Sequence, residues 1–319
     1  MAVVTLLEGI RQALEDELAR DERVFLIGQD IGAFGGPFKA TEGLQARFGE
    51  TRVVDAPISE AAIVGAAVGA AYMGLRPVAE MQFIDFLGCG FDMLTNFAAK
   101  SRYRYGLGVP MVVRGPCGGG VSGGPFHSAN PEAWFLNTPG VKIVEPSTAY
   151  DAKGLLKSAI RDDDPVLFLE HKALYRRLKG PMPDPSHRTP IGRANVVRPG
   201  REATVITYGA GVDLATRALD DLDVEILDLR TVWPLDEEAI LESVARTSRV
   251  LVLQEPNATK HPAPAVLSLI AREAFTHLDA PPALVAPPDT PVPFAPVLED
   301  AFLPSAGGLR MAVEDLLGF

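Results

Sequence analysis

The chain has 319 residues, 47% of them apolar and 22% charged, with 30 Gly and 27 Pro; this excludes a disordered, collagenous or coiled-coil polypeptide and favours two domains over one. Lys and Arg number 30 against 41 Asp and Glu, a formal charge of −11, so a general nucleic-acid or anionic-membrane surface is excluded by repulsion from the phosphate field. Cys89 and Cys117 are the only cysteines, too few for a disulfide framework or a tetrahedral zinc site, and they fit a reducing cytoplasm.

The N-terminus opens on acidic residues at helical spacing, Glu8, Glu15, Asp16 and Glu17, which is not the basic-then-apolar order of a secretory leader. A helix is expected over 5–19 and a strand at Val24–Gly28. The longest apolar run, Ala61–Leu75, consists largely of Ala and Gly and stops at Arg76. It is too short for a bilayer and predicts a helix over 59–74 buried on all sides. A helix over 88–103 follows, then strands at Val109–Arg114 and Val141–Glu145, a helix over 149–161 and a strand at Val166–Glu170. Alternation of this kind predicts a parallel sheet with helices on both faces.

Lys179–Pro190 contains four prolines and no periodicity, the composition of a linker. Beyond it the same grammar returns: strands at Thr204–Tyr208, Val224–Leu229 and Val250–Gln254 alternate with helices over 211–221, 236–246 and 263–277. The expected organisation is therefore an α/β domain over 1–180, a Pro-rich linker over 181–190 and a second α/β domain over 191–319, with ligand sites at strand C-termini. Residues 190–319 hold 10 basic and 19 acidic residues, a net of −9 out of −11.

Gly118-Gly-Gly-Val-Ser-Gly123 satisfies the spacing of a dinucleotide-binding loop. Its context excludes that use, because Pro125, His127, Asn130 and Pro131 follow where a long helix would have to receive the pyrophosphate. A Gly-rich loop ending in a His is, however, how an active-site segment looks. In Val54-Asp-Ala-Pro-Ile-Ser-Glu60, Ser59 is placed to cap the Ala/Gly helix and Glu60 falls in its first turn. A capping carboxylate is the plain reading; burial beside close-packed Gly65 and Gly69 would instead make Glu60 a proton-transfer acid. Cys117 lies ten residues before His127, so a Cys–His nucleophilic pair competes with an inert loop thiol. Phe83, Phe86 and Phe91 read first as core.

Several segments together carry a family resemblance: Gly28-Gln-Asp-Ile-Gly, Thr41-Glu-Gly-Leu44, Ile58-Ser-Glu-Ala-Ala-Ile63, Arg76-Pro-Val-Ala-Glu80, Tyr150–Leu156, Ala159-Ile-Arg-Asp162, Leu174-Tyr-Arg176, Asp228-Leu-Arg-Thr231 and Asp289-Thr-Pro291. In this order, over nearly the whole chain, they resemble the β subunit of the thiamine-dependent E1 component of 2-oxo acid dehydrogenase complexes. The resemblance implies a pyrimidine-binding domain followed by a transketolase C-terminal-like domain, paired with a separate E1 α subunit in an α2β2 heterotetramer. It implies oxidative decarboxylation of a 2-oxo acid and acyl transfer to the lipoyl group of an E2 acyltransferase docked on the acidic C-terminal half, with Glu299 and Asp300 among its charges. The cofactor implied is thiamine diphosphate. Its Mg²⁺ would be held mainly by the α subunit, since the chain has no Gly-Asp-Gly motif.

By the same resemblance Glu60 would hydrogen-bond the aminopyrimidine and promote proton loss from the thiazolium, while Gln29, Ile58, Gln82 and Phe86 would line the pocket. His127 would orient the substrate carboxylate and relay protons. Met111, Ala159, Ile160, Asp162 and Asp164 match a structural K⁺ site. Gln29 stands where the family has Glu, Ala129 where it has Gln, Asp164 where it has Asn, and Asn257–Pro264 replaces a Gly-rich stretch. Phe168–His171 and Ala286–Thr290 resemble pyruvate-type chains more closely, with branched-chain 2-oxo acids, acetoin, or a non-catalytic binding subunit as alternatives.

Overall fold

The computed structural model describes residues 3–259 and 262–319. A short strand β1 (Val3–Thr5) leads into helix α1 (Leu6–Arg20) through a capping box: the Thr5 hydroxyl accepts the Glu8 N–H at 3.2 Å and the Glu8 carboxylate accepts the Thr5 N–H at 2.7 Å. There follow β2 (Val24–Gln29), α2 (Leu44–Phe48), β3 (Val53–Ala56), α3 (Glu60–Tyr72), β4 (Arg76–Glu80), α4 (Ser101–Tyr105), β5 (Val112–Cys117), α5 (Glu132–Leu136), β6 (Lys142–Val144), α6 (Ala149–Arg161), β7 (Val166–His171), α7 (Leu174–Arg177) and β8 (Lys179–Pro181).

Two compact units result, Met1–Cys117 with Trp134–Ile191, and Gly118–Ala133 with Gly192–Phe319. In the first unit the strands lie in the order β6-β7-β5-β4-β2-β3, each neighbouring pair parallel. The inner strands β5 and β7 are buried along their full length, as both faces of a parallel sheet require. On one side α1 packs against α6, and the fully buried carboxylate of Glu17 is matched by Arg161 at 2.6 Å and Arg20 at 2.7 Å.

The first unit differs from the sequence expectation in three respects. Helix α3 is not buried all round: Ile63, Val64, Ala67, Val68 and Ala71 face the core, while Ala61, Ala62, Ala66, Gly69 and Tyr72 are exposed. Ala and Gly on every side leave no polar stripe, so the sequence does not mark which face is covered. The single helix expected over 88–103 is instead a 3₁₀ turn Ile84–Gly90, a π-helical segment Met93–Ala98 and α4. Gly88 and Gly90 weaken helix propagation there, and Gly90 lies so close to α3 that a Cβ would meet Val64 and the Glu60 carbonyl. Thirdly, the strand expected at 109–114 begins at Val112, and β3 and β4 lie in stretches the periodicity did not mark as strands.

The Pro-rich stretch is tied down rather than loose. Its start, β8, pairs antiparallel with β1. Further on Ser158 donates to the Thr189 carbonyl at 2.6 Å, Thr189 donates to Asp151 at 3.1 Å, Lys157 donates to the Pro185 carbonyl, and the His187 ring lies 4.1 Å from that of Tyr150. The polar face of α6 thus satisfies main-chain groups that proline-rich sequence cannot pair itself. The chain passes into the second unit at Gly192.

That unit contains β9 (Asn195–Arg198), β10 (Ala203–Thr207), α8 (Ala210–Ala218), β11 (Val224–Asp228), β12 (Thr231–Trp233), α9 (Glu237–Thr247), β13 (Val250–Leu253), α10 (Pro262–Glu273), β14 (Ala283–Val285), α11 (Pro296–Phe302) and α12 (Ala306–Leu317). Strands β14-β13-β10-β11 are parallel and β9 joins antiparallel at the edge. Val205, Ile226, Leu251, Leu309 and Val313 form its core. Edge strands β9 and β14 and helices α11 and α12 were not expected; the strands are short and half exposed.

A Cβ on Gly9 of α1 would lie 2.7 Å from the Ala149 carbonyl oxygen on α6. Gly9→Ala should therefore destabilise the protein, overpacking at about 1–3 kcal/mol outweighing the roughly 1 kcal/mol that Ala gains in a helix. Thermal unfolding by circular dichroism should give a Tm lower by several degrees; an unchanged or raised Tm would mean that α1 and α6 part without cost.

Candidate active site

In the first unit β2, β3 and β4 end together at Gln29, Ala56 and Glu80, with Gln29 paired to Ala56 and Gly28 to Glu80. Carboxyl ends of parallel strands are where α/β sheets bind ligands. The chain leaves β2 through Asp30 in a left-handed conformation (φ 58°), and Gln82 donates to the Asp30 carboxylate at 3.0 Å. Asp55, at the end of β3, accepts the Gly32 N–H at 2.6 Å, closing the loop back onto the strand.

Glu60 opens α3, with three residues between it and the end of β3. Ser59 stands at the N-cap position but its hydroxyl makes no capping bond, so the first turn's N–H groups are not taken up by it. Glu60 is half-buried, not enclosed, and Ile58 is 75% exposed. Phe86 lies in the 3₁₀ turn Ile84–Gly90 and meets Phe83 edge-on, centroids 6.4 Å apart; Phe83 meets Phe38 at 5.5 Å, and Phe38 meets Tyr175 at 5.4 Å. The structure thus places Gln29, Gln82, Phe86, Ile58 and Glu60 at or just beyond the carboxyl ends of adjacent strands of one unit.

This aromatic row leads to a charge cluster that the sequence did not announce. Arg114 on β5 is fully buried; it grips Glu170 on β7 through two bonds of 2.5 and 2.7 Å and also pairs with Glu80 at the end of β4. The Tyr175 hydroxyl donates to Glu170 at 2.5 Å. Burial raises the Glu80 carboxyl above the usual range, the Glu170 charge adds to this, and Arg114 opposes it. Burial also raises Tyr175 well above the ordinary phenol, with Glu170 adding. For Arg114 burial acts downward, and the two carboxylates outweigh it. Glu80 and Tyr175 both sat inside segments that marked the family, Arg76–Glu80 and Leu174–Arg176; a lone Arg amid β-branched residues was the available signal.

His127 belongs to the second unit, directly after the short turn Gly124–Phe126. As expected, Gly118–Gly123 opens no helix. Cys117 is fully buried at the end of β5 in the first unit, which removes the thiol nucleophile reading. Asn257 donates to the carbonyls of Pro288 and Thr290 at 2.6 and 2.8 Å, so the segment that departs from the family pattern supports the loop before Pro291; its Lys260 and His261 lie outside the described residues.

The residues expected to hold K⁺ have other partners. Arg76 donates to the carbonyls of Ile160 at 3.1 Å and Asp162 at 2.9 Å and pairs with Asp163 at 2.6 Å; Lys142 holds the Asp162 carboxylate at 2.6 Å and Arg102 that of Asp164 at 2.6 Å. The Met111 carbonyl accepts the Val166 N–H and the Ala159 carbonyl that of Asp162. The Arg76 guanidinium thus takes the Ile160 and Asp162 carbonyls that a K⁺ ion would use, and as arranged here these residues do not fit that ion.

A parallel α/β sheet unit followed by a mixed α/β unit is the plan of the transketolase class. Residues 3–177 match the model for the transketolase pyrimidine binding domain and 192–309 that for the transketolase C-terminal domain. A solved split-gene transketolase, an inactive β4 tetramer, shares the fold with a TM-score of 0.80 over 99% of this chain and 98% of that one, at 20% identity. The 2-oxoisovalerate dehydrogenase subunit beta of Bacillus subtilis is 46% identical over the full length of both chains, and the pyruvate dehydrogenase E1 component subunit beta of the same organism 44% identical, again over both full lengths. An acetoin:2,6-dichlorophenolindophenol oxidoreductase subunit beta of Cupriavidus necator is 43% identical over 95% of this chain and 94% of the relative. The chain belongs to the E1 β subunits of the 2-oxo acid dehydrogenases, and is one component of an oxidoreductase.

The raised Glu80 pKa has a definite sign. Above the ordinary carboxylate range the folded state keeps a proton that the unfolded state has lost, so this group's contribution falls as pH rises toward its folded pKa. Glu80→Gln should flatten that decline; Tm measured between about pH 5 and 8 should drop less steeply than in the wild type. Parallel curves would mean that Glu80 is fully ionised in the folded protein.

Proposed function

We propose that this chain supplies the aminopyrimidine side of a thiamine diphosphate site. With a separate α subunit in an α2β2 assembly it decarboxylates a short-chain 2-oxo acid, pyruvate in the first instance, and passes the acyl group to the lipoyl domain of an E2 acyltransferase. The observation that carries this reading is Glu60 at the start of α3, immediately beyond the strand ends that present Gln29, Gln82 and Phe86. When bound, thiamine diphosphate supplies the electron sink for decarboxylation.

The chain's own residues have simpler tasks. Glu60, held by backbone at a helix start yet half open, accepts and returns a proton at the aminopyrimidine. Phe86, stiffened by Phe83, gives a ring face for the pyrimidine. Gln82, oriented by Asp30, offers its amide to the pocket. His127 orients the substrate carboxylate and manages its protons.

Support for the α partner comes from the first unit's surface. The bare half of α3 continues into Met73 at 83% exposure, and Tyr103 at 99% and Tyr105 at 56% are also uncovered, an apolar surface of the kind that marks an interface. Among the described residues no group of three or more His, Cys, Asp or Glu side chains is arranged to hold a metal; we assign the Mg²⁺ and diphosphate to the α subunit and give K⁺ no part. E2 docking is assigned to exposed acids of the second unit such as Asp300, Glu314 and Asp315. Glu299 drops out of that surface because it is 3% exposed. Among the described residues no helix is long and apolar enough to cross a membrane, and we place the reaction in the cytoplasm, where two free cysteines stay reduced.

The substrate rests on assay. Phe168–His171 is buried within β7 and reports packing around Arg114, not substrate shape. Purified with its α partner, the enzyme should turn over pyruvate with the higher kcat/KM; a larger value for 2-oxoisovalerate or acetoin would reassign it.

The isolated chain should bind thiamine diphosphate negligibly in calorimetry, and the assembly should bind it with Mg²⁺; tight binding to this chain alone would refute the shared site. Glu60→Gln should preserve assembly while lowering decarboxylation by about 10²–10⁴-fold, the usual contribution of a positioned acid–base group. Near wild-type turnover would take Glu60 out of the mechanism.

A further inference from the structure

The loop 118–133 has almost no regular secondary structure, only the turn Gly124–Phe126 and the start of α5. Gly118, Gly120, Ser122 and Gly124 all take left-handed conformations, with φ of 80°, 79°, 55° and 65°. Alternation of this kind turns successive N–H groups toward one side, making a nest for negative charge. Two carboxylates of the same unit fill it. Glu299 on α11 accepts the N–H of Gly120 at 3.0 Å through one oxygen, and the N–H of Ser122 at 2.8 Å and its hydroxyl at 3.3 Å through the other. Glu255 accepts the N–H of Gly119 at 2.7 Å and the Asn130 amide at 3.3 Å.

The neighbouring packing is equally specific. A Cβ on Gly119 would lie 3.1 Å from Leu303, one residue past α11, and a Cβ on Gly124 would overlap the ring of Phe294. Glu299 is 3% exposed, so these N–H and O–H donors take the place of water around its oxygens, and losing them would leave buried acceptors unpaired. His127 follows three residues after Gly124, between the Ser122 and Asn130 contacts of the clamp.

We propose that Glu299, supported by Glu255, is the positioning residue that fixes the Gly-rich loop and so the backbone that carries His127. The proposal rests on the reading above that His127 serves the substrate. Glu299 acts through the loop and touches no substrate. Releasing it lowers the fraction of molecules with His127 in place, and apparent affinity falls by that fraction while saturating substrate restores turnover. KM therefore carries the effect more than kcat.

The test uses the assembled α/β enzyme loaded with thiamine diphosphate and Mg²⁺, as wild type, Glu299→Gln, Glu255→Gln and His127→Ala. Amide exchange of peptides spanning 116–130 should accelerate at least about tenfold in Glu299→Gln, and less in Glu255→Gln, with other peptides of the second unit unchanged. KM for the 2-oxo acid should rise about fivefold or more in Glu299→Gln with kcat within about twofold. Unaltered exchange in both variants would overturn the clamp, as would faster exchange with an unaltered KM. Wild-type turnover in His127→Ala would instead overturn the assignment of the loop to the site, and the exchange of the Gly120 and Ser122 amides would still decide the clamp on its own.

Discussion

Arg114 is the constraint around which the first unit is arranged. Its guanidinium lies fully buried between Glu170 on β7 and Glu80 at the end of β4, so it joins three neighbouring strands where the sheet meets its loops. Removing Arg114 or Glu170 would strand a charge in the interior at a cost of several kcal/mol. A register slip of one residue would do the same, because alternate side chains face opposite sides of the sheet. The cluster therefore fixes strand alignment at the end where Gln29, Gln82 and Phe86 emerge, and the aromatic row from Tyr175 to Phe86 carries that rigidity outward.

The second unit reaches the same end by another route. Its Gly-rich loop has neither a strand partner nor a helix to shape it, and left-handed residues alone would leave many conformations open. The buried carboxylate of Glu299 and the partly buried one of Glu255 supply the missing selection from 125 residues or more away in sequence. Both sites thus use desolvated charge against hydrogen-bond donors, in one case a guanidinium and in the other main-chain N–H groups, to hold loops that propensity does not define.

Much of this was legible beforehand where local chemistry sufficed. Alternation of apolar runs gave the two α/β units, with α6 and α9 within one residue of their expected ranges. Glu60 was marked by its place at the start of an Ala/Gly helix. What escaped was non-local. Glu80, Arg114 and Glu170 are 34 and 56 residues apart and acquire meaning only through strand order. Glu299 read as a surface acid because a Glu beside an Asp in a Pro-rich stretch usually is one. The exposed half of α3 was invisible because Ala and Gly are compatible with burial and with exposure alike. The K⁺ expectation failed to include Arg76, Lys142 and Arg102, whose proximity to the 160–164 turn depends on the tertiary fold.

The bare face of α3 also bears on how the chain lives in a cell. An apolar helix surface flanked by Met73 and Tyr72 is tolerable only while something covers it. A copy made in excess of its partner would present that surface to chaperones and proteases and would be removed or aggregate. The lifetime of the unpaired chain is then a physical route to subunit balance that acts after synthesis.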